Sequence, residues 1–257
     1  MATKISDGYT AMEGIVFRQT KTLNNRRMIL LFSDEQGKIS AGTSISENGK
    51  SKSALAMRPF TLSRFNIIEN KGYFNIKSAD TIKSYYKIGE DLDKFSNASY
   101  IMEFTEKLLP ENVAVPKLFS LLRTYLDILE VRKKSFSTVT IAYMVKAMQI
   151  SGVAPQLDKC IACAEANEPA YFHIGEGGFL CKNCAGTDRN NSFDKLLYKV
   201  NFDIVNVLNF LMDNPLKRVE KLELNPDMAK ILQEIIKEYS AYHLDIGNIK
   251  SESMINM

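Results

Sequence analysis

The sequence predicts an α+β chain, and three observations carry that prediction. Short runs rich in β-branched and aromatic residues, separated by turn signals, fill the first eighty positions. From about residue 84 apolar residues recur at helical spacing instead. Between two of the helical stretches stand the pairs Cys160/Cys163 and Cys181/Cys184, which are all the cysteines of the 257-residue chain. The expected architecture is a β-barrel of the OB-fold kind over residues 1–82, then an α-helical domain over residues 83–257 with a four-cysteine ribbon inserted at about 156–188.

Five strands are expected. Met12 to Arg18 is the first, and Arg27 to Phe32 (RMILLF) and Lys38 to Thr43 pair across the turn Ser33-Asp34-Glu35-Gln36-Gly37. Gly37 is suited to the positive φ that a short hairpin loop needs. Residues Ser44 to Ala54 are small and polar and read as a loop. Pro59 to Glu69 and Tyr73 to Ile82 are the last two strands, divided at Asn70-Lys71-Gly72. Five strands suit an OB-fold; they also suit an SH3-like barrel, and strand count does not separate the two.

Helices follow. Leu92, Phe95, Ser99, Met102 and Leu109 share one side of a helix that Pro110 closes. A second begins near Val115 with Pro116 in its first turn and carries Leu118, Phe119, Leu122, Tyr125, Leu126 and Leu129. A third runs from about Thr138 to Ser151 and stops at Gly152. Beyond the cysteines, Ser192 reads as the N-cap of a long helix through Phe193, Leu196, Leu197, Val200, Ile204, Val207 and Leu211, ending before Pro215. Asn225 caps a last helix with Pro226 at its first position and an apolar stripe from Ile231 to Tyr239, reaching Tyr242.

The cysteine spacing, two Cys-x-x-Cys pairs seventeen residues apart, is that of a four-thiolate zinc site. A two-residue gap lets both thiolates of a tight turn face one ion, and a second such turn completes a tetrahedron with Zn–S bonds of about 2.3 Å. Tyr171 to Ile174 and Phe179-Leu180 are expected as two short strands, with Gly175-Glu176-Gly177-Gly178 turning between them to bring the pairs together. Four thiolates leave no position for water, so one structural Zn2+ is expected, held by Cys160, Cys163, Cys181 and Cys184. Disulfides, a redox pair and an iron–sulfur cluster fit the doubled motif less well. His173 reads as a ribbon-surface histidine rather than a ligand.

Residues 1–80 contain twelve Lys/Arg against seven Asp/Glu, a balance of +5, while the remainder of the chain carries −2. A basic front end is the mark of a polyanion-binding module. No run approaches the ~20 apolar residues of a membrane span, and the first residues lack the apolar core of a secretory signal. A cytoplasmic protein with no membrane association is expected. No H-E-x-x-H, P-loop, G-x-S-x-G or His–carboxylate pair is present, and His243 lies on a helix stripe as a packed histidine. The chain is therefore not expected to be an enzyme.

At this point the chain resembles the RecO family of bacterial recombination mediators. The likeness lies in Gly14-Ile15-Val16, Gly37-Lys38-Ile39-Ser40-Ala41, Pro59-Phe60, the zinc-motif segment from Gly177 to Ala185, Tyr242-His243-Leu244 and Lys250-Ser251, in that order along nearly the whole chain. The resemblance implies binding of single- and double-stranded DNA and annealing of complementary strands. It also implies cooperation with RecR and with the C-terminal tail of single-stranded DNA-binding protein, helping RecA load onto coated DNA. A nucleoid-associated location in the cytoplasm follows.

On an OB-type barrel, basic side chains track phosphates and aromatics stack on bases. The phosphate-contact candidates are Arg18, Lys21, Arg26, Arg27, Lys38, Lys50, Lys52, Arg58 and Arg64, and the stacking candidates are Phe60, Phe65, Tyr73 and Phe74. Two departures from the family pattern take away part of the usual basic loop and shift the expected DNA contact to Lys50, Lys52, Arg26 and Arg27. Ser44-Ile45-Ser46-Glu47 stands where K-G-x-R is usual, and Arg26-Arg27 where Asp-Arg is usual. A zinc-ribbon adaptor that binds protein partners without annealing DNA is the competing expectation.

Overall fold

The structure is a computed structural model, and it describes residues 3–4, 9–22, 26–45, 51–185 and 196–254. Strands β1 (Thr3–Lys4), β2 (Thr10–Lys21), β3 (Arg27–Ser33), β4 (Gly37–Thr43), β5 (Thr61–Asn70) and β6 (Tyr73–Ser84) form one sheet in the order β1-β2-β3-β4-β6-β5, and β5 pairs back onto β2. That pairing closes β2 to β6 into a five-stranded barrel. Its neighbours are antiparallel except β4 and β6, which run parallel. This circuit, with a short helix α1 (Lys52–Ala56) between the third and fourth barrel strands, is the OB-fold, and it settles the choice that strand count left open.

The barrel core forms because each strand alternates. Met12, Val16, Ile29, Leu31, Ile39, Ala41, Phe65, Ile67, Ile76 and Ala79 point inward, and Ala56 and Met57 at the end of α1 join them. Residues 52–54, the end of the stretch read above as loop, belong to this helix because Ser51 accepts the Ala54 N–H and the small side chains of Ala54 and Ala56 are buried. Pro59 and Phe60 precede β5 as a turn rather than starting it. At Gly37, φ is +73° and an added Cβ would lie 2.0 Å from the Val113 carbonyl oxygen, so only glycine fits that hairpin.

Compactness divides the chain into two units, one of Met1–Glu130 with Lys250–Met254, and one centred on Val131–Ile249. In the first, α2 (Leu92–Leu108) and α3 (Pro116–Val131) follow the barrel after a 3-10 turn at Tyr86–Glu90. The barrel's outer wall packs on α3 through Phe32, whose ring meets Phe119 edge to face at 5.3 Å and stacks on Phe17 at 6.1 Å. Helix α2 buries Ala98, Tyr100, Ile101, Met102 and Phe104, whereas Leu92, expected on the buried stripe, is 72% exposed. Asp91 caps the helix there, which leaves Leu92 at its first exposed position.

In the second unit, α4 (Phe136–Ile150) is buried on nearly every side, from Thr138 to Val145 without a break. A helix apolar all round belongs at the centre of a bundle, and α4 packs against α6 (Phe202–Asp213), α7 (Leu216–Val219) and α8 (Pro226–Leu244). Asn225 caps α8 by accepting the Met228 N–H at 2.8 Å, with Pro226 at the first position as expected. The ribbon strands β7 (Pro169–His173) and β8 (Gly178–Cys181) are followed by the single turn α5 (Lys182–Ala185).

The expected long helix from Ser192 is corrected. Its proposed cap and Phe193 lie outside the described residues, and Leu197–Lys199 is a strand, β9, on the free edge of β7. The Ile174 N–H donates to Leu196 at 2.9 Å and the Val200 N–H to Ala170 at 3.0 Å, so the ribbon edge claims a segment whose spacing alone reads as helical. Helix α6 starts only at Phe202, capped by Asn201, whose side chain accepts from the Ile204 N–H.

Candidate metal centre and nucleic-acid interface

The first cysteine pair sits in a tight turn. The Ala164 N–H donates to the Cys160 carbonyl at 2.9 Å, and Ala164 itself adopts φ 58° to close the loop. The second pair leaves the end of β8 and enters α5. The β7–β8 hairpin returns it beside the first, and the Cys181 N–H points at the Cys160 sulfur, 3.4 Å away. All four Sγ atoms lie within 4.8 Å of one another, with Cys163 and Cys181 at 4.0 Å. A tetrahedron with bonds of about 2.3 Å has edges of about 3.8 Å, so the cluster fits one ion with little contraction.

The electrostatics suit thiolates. Burial pushes the Cys160 thiol up, but the N–H groups of Cys163, Cys181 and Ala162 outweigh it and draw it down to about 6. Cys184 is pushed up to about 12 by hydrogen bonding to the Cys181 and Cys163 sulfurs, since crowded sulfurs oppose a further negative charge. A bound cation removes that opposition, and the four cysteines could hold a metal ion. His173 is not a surface residue as expected: it is 5% exposed, and its Nδ1 accepts the Glu176 N–H at 3.2 Å, capping the turn instead of facing the sulfurs.

The candidate phosphate contacts separate by what already holds them. Arg27 is buried, and its guanidinium donates to Gln19 Oε1 at 2.7 Å and to the Ile45 carbonyl at 2.7 and 3.1 Å. Lys38 is largely buried between the Glu106 carbonyl at 3.0 Å and the Glu111 carboxylate at 3.2 Å. Arg18 clasps Glu106 through two hydrogen bonds, and Arg64 pairs with Glu13, its neighbour across β5 and β2. Lys21, Arg26, Lys52 and Arg58 are exposed, and Lys50 lies outside the described residues. Among the aromatics, Phe65 is fully buried in the barrel, Phe60 and Phe74 are half-buried, and Tyr73 is 75% exposed.

One groove of about 390 Å³ brings several of these groups together. It runs from Thr22 and Arg26 at the β2–β3 turn, past Gly42 to Ser44 at the end of β4, to Tyr73–Lys77 at the start of β6. Among the described residues, its charged lining groups are Arg26 and Lys77. Lys77 was missed above, though alternation gives the signal: Tyr73, Asn75 and Lys77 share the face of β6 opposite the core residue Ile76. The groove lies between the first hairpin turn and the β5–β6 turn, where OB-folds bind oligonucleotides.

Fold and thiol cluster together define an OB-fold protein joined to a helical part that bears a four-cysteine ribbon. The chain belongs to the recombination protein O family, for residues 9–85 match its N-terminal part and residues 89–253 its C-terminal part. Relatives named DNA repair protein RecO agree with this. The protein of Alkaliphilus metalliredigens is 28% identical over 240 residues, spanning 93% of this chain and 95% of its own. That of Caldanaerobacter subterraneus is 27% identical over 234 residues (91% and 92%), and that of a Thermoanaerobacter species 28% over 245 (95% and 96%). No helix among the described residues is long and apolar enough to cross a membrane.

Proposed function

We propose that this chain is a non-catalytic DNA repair and recombination mediator that binds single- and double-stranded DNA and anneals complementary strands in the cytoplasm. With RecR it helps RecA load onto DNA coated by single-stranded DNA-binding protein, whose acidic tail it engages. The observation that carries the reading is the barrel groove in which Arg26, Lys77, Tyr73 and Phe74 converge, with no carboxylate among the described lining residues. Two cations take up phosphates, and the exposed Tyr73 ring offers a base a stacking face. Annealing needs no bond chemistry: neutralised strands approach, and pairing drives the product.

The ribbon's metal is one structural Zn2+. Thiolates are ligands that zinc favours, and four of them close its shell. Cys160 and Cys181 anchor the site from within the fold, both 1% exposed, while Cys163 and Cys184 close it from outside. The ion supplies local folding energy and no chemistry.

The test is strand annealing. Complementary oligonucleotides coated with the cognate single-stranded DNA-binding protein are mixed with and without the chain, and duplex formation is followed by fluorescence. Acceleration that falls steeply with salt is the expected result, and none at any salt refutes the reading.

A further inference from the structure

A second groove, of about 1000 Å³, opens elsewhere on the barrel, between α1, the start of β5, the end of β6 and the Tyr86–Glu90 turn. It shares no residue with the groove at Arg26 and Lys77. Among the described residues, its one charged lining group is Arg58, which is exposed and has no ion-pair partner there. Four aromatic residues line it: Tyr86 is 65% exposed, Tyr85 is buried, and Phe60 and Phe95 are half-buried, meeting edge to face at 5.7 Å. Thr81 and Ser84 add hydroxyls. The nearby Glu90 carboxylate is engaged by the Tyr86 hydroxyl.

Phe60 is the unusual residue. Its φ is +60°, a left-handed conformation that a bulky aromatic residue seldom takes. It is held there at both ends, its N–H donating to Val16 at 3.1 Å and its carbonyl accepting from Tyr85 at 3.2 Å. Backbone strain of this kind persists where the side chain's position is used. Here the strain stands the ring at the lip of the groove, on a border shared with a neighbouring opening of about 640 Å³.

Resting on the annealing function proposed above, we propose that this groove is a second single-strand subsite, which takes a short unpaired stretch of DNA while the groove at Arg26 and Lys77 holds another strand. Annealing requires two strands on one surface, and one narrow groove holds one. A cation with no carboxylate among the described lining residues suits a phosphate, the rings suit bases, and the hydroxyls suit base edges. A wholly apolar peptide would leave Arg58 and both hydroxyls without partners.

The test uses the full chain and two non-complementary oligothymidylates, one carrying a donor and one an acceptor fluorophore, with the mass of the complex followed by light scattering. Energy transfer in a complex containing one chain is the expected result. In R58E/Y86A the transfer should fall on the order of tenfold, while affinity for a single oligonucleotide at the first groove is retained. F60G is the second variant: glycine takes φ +60° without strain, so the fold is kept while the ring is lost, and the transfer should fall again. Single-strand binding that depends on Arg26 and Lys77 but never gives transfer overturns the second subsite and leaves the function standing. No oligonucleotide binding at all overturns both. Unchanged transfer in R58E/Y86A with loss of single-stranded DNA-binding protein binding makes the groove a protein-docking surface and also overturns the proposal.

Discussion

His243 Nε2 lies 2.7 Å from the carbonyl oxygen of Ile174, so the end of α8 holds the turn of the cysteine ribbon. A carbonyl only accepts, so this nitrogen carries the proton. The imidazole lies against Tyr239, ring centres 4.2 Å apart, and meets Tyr242 at 5.0 Å. At Gly177, φ is +74° and an added Cβ would lie 3.2 Å from the Tyr239 hydroxyl, so the turn sits tightly on these rings. The helix thereby clamps the hairpin that aligns the two cysteine pairs.

Replacing His243 by Ala is expected to cost about 1–2 kcal/mol, from one lost hydrogen bond and its ring contacts. It should also speed release of the ribbon metal. Thermal unfolding reads the first and a chromogenic chelator the second. H243Q, whose amide can still donate to Ile174, should recover part of both; equal metal release in all three proteins would show that the clamp does not support the site.

Arg26 and Arg27 are neighbours with opposite duties. Alternation along the strand sends Arg27 inward, where it ties Gln19 on β2 to Ile45 beyond β4, and leaves Arg26 to solvent at the groove. R27A should therefore destabilise the barrel by about 1–3 kcal/mol, because buried acceptors lose their donor. R26A should leave the melting temperature within a degree or so and weaken binding to single strands. The log–log salt slope should shrink by about 0.7 for R26A and by the same again when K77A is added. Denaturation and salt-titrated anisotropy together separate the two arginines.

Much of this was legible before the structure. The cysteine spacing alone located the sulfur cluster, because metal-ligand geometry is local, and Asn225-Pro226 marked the start of α8 because capping is local too. Non-local choices were hidden. Nothing in Leu197–Lys199 says that β7 has a free edge waiting for it, and nothing near Leu92 says which side of α2 faces the barrel. The basic residues were counted correctly but could not be sorted, since Arg27 and Lys38 are occupied by groups that only the fold brings near. Lys77 went unnoticed because a single lysine on a half-exposed strand looks like any solvated residue until a groove forms around it.

Glu103 on α2 fixes the segment Lys250–Met254. Its carboxylate accepts the N–H groups of Lys250 and Ser251 and the Ser251 hydroxyl, at 2.8, 2.9 and 2.8 Å. Burial alone would raise its pKa, but these hydrogen bonds and Lys107 prevail, and the carboxyl sits below its ordinary value. A depressed pKa means that the stabilisation is full above the unfolded value, ~4.3, and is lost as pH falls through the lower folded value. Protection of the Ser251 amide from exchange, taken relative to the unfolded rate at each pH, should thus be high at neutral pH and fall below about pH 4. E103Q should remove that acid dependence, and an unchanged profile would show that another group sets it.

Removal of the ribbon metal tests whether the two units depend on each other for stability. The three strands β7 to β9 bury few large side chains besides Phe172, Phe179 and Leu180, so thiolate coordination, worth on the order of 10 kcal/mol, should dominate their folding. A strong chelator is expected to release one equivalent of metal and to abolish the near-ultraviolet circular dichroism of Tyr171, Tyr198 and Tyr239, with α8 fraying at His243. The barrel has a core of its own, from Met12 to Ala79, and none of its members lies in the ribbon. Oligonucleotide binding at Arg26 and Lys77 should therefore survive chelation with little change in affinity. Loss of DNA binding in step with loss of metal would mean that the ribbon supports the groove, whereas metal loss with an unchanged tyrosine signal would remove the ion from the structural role assigned to it.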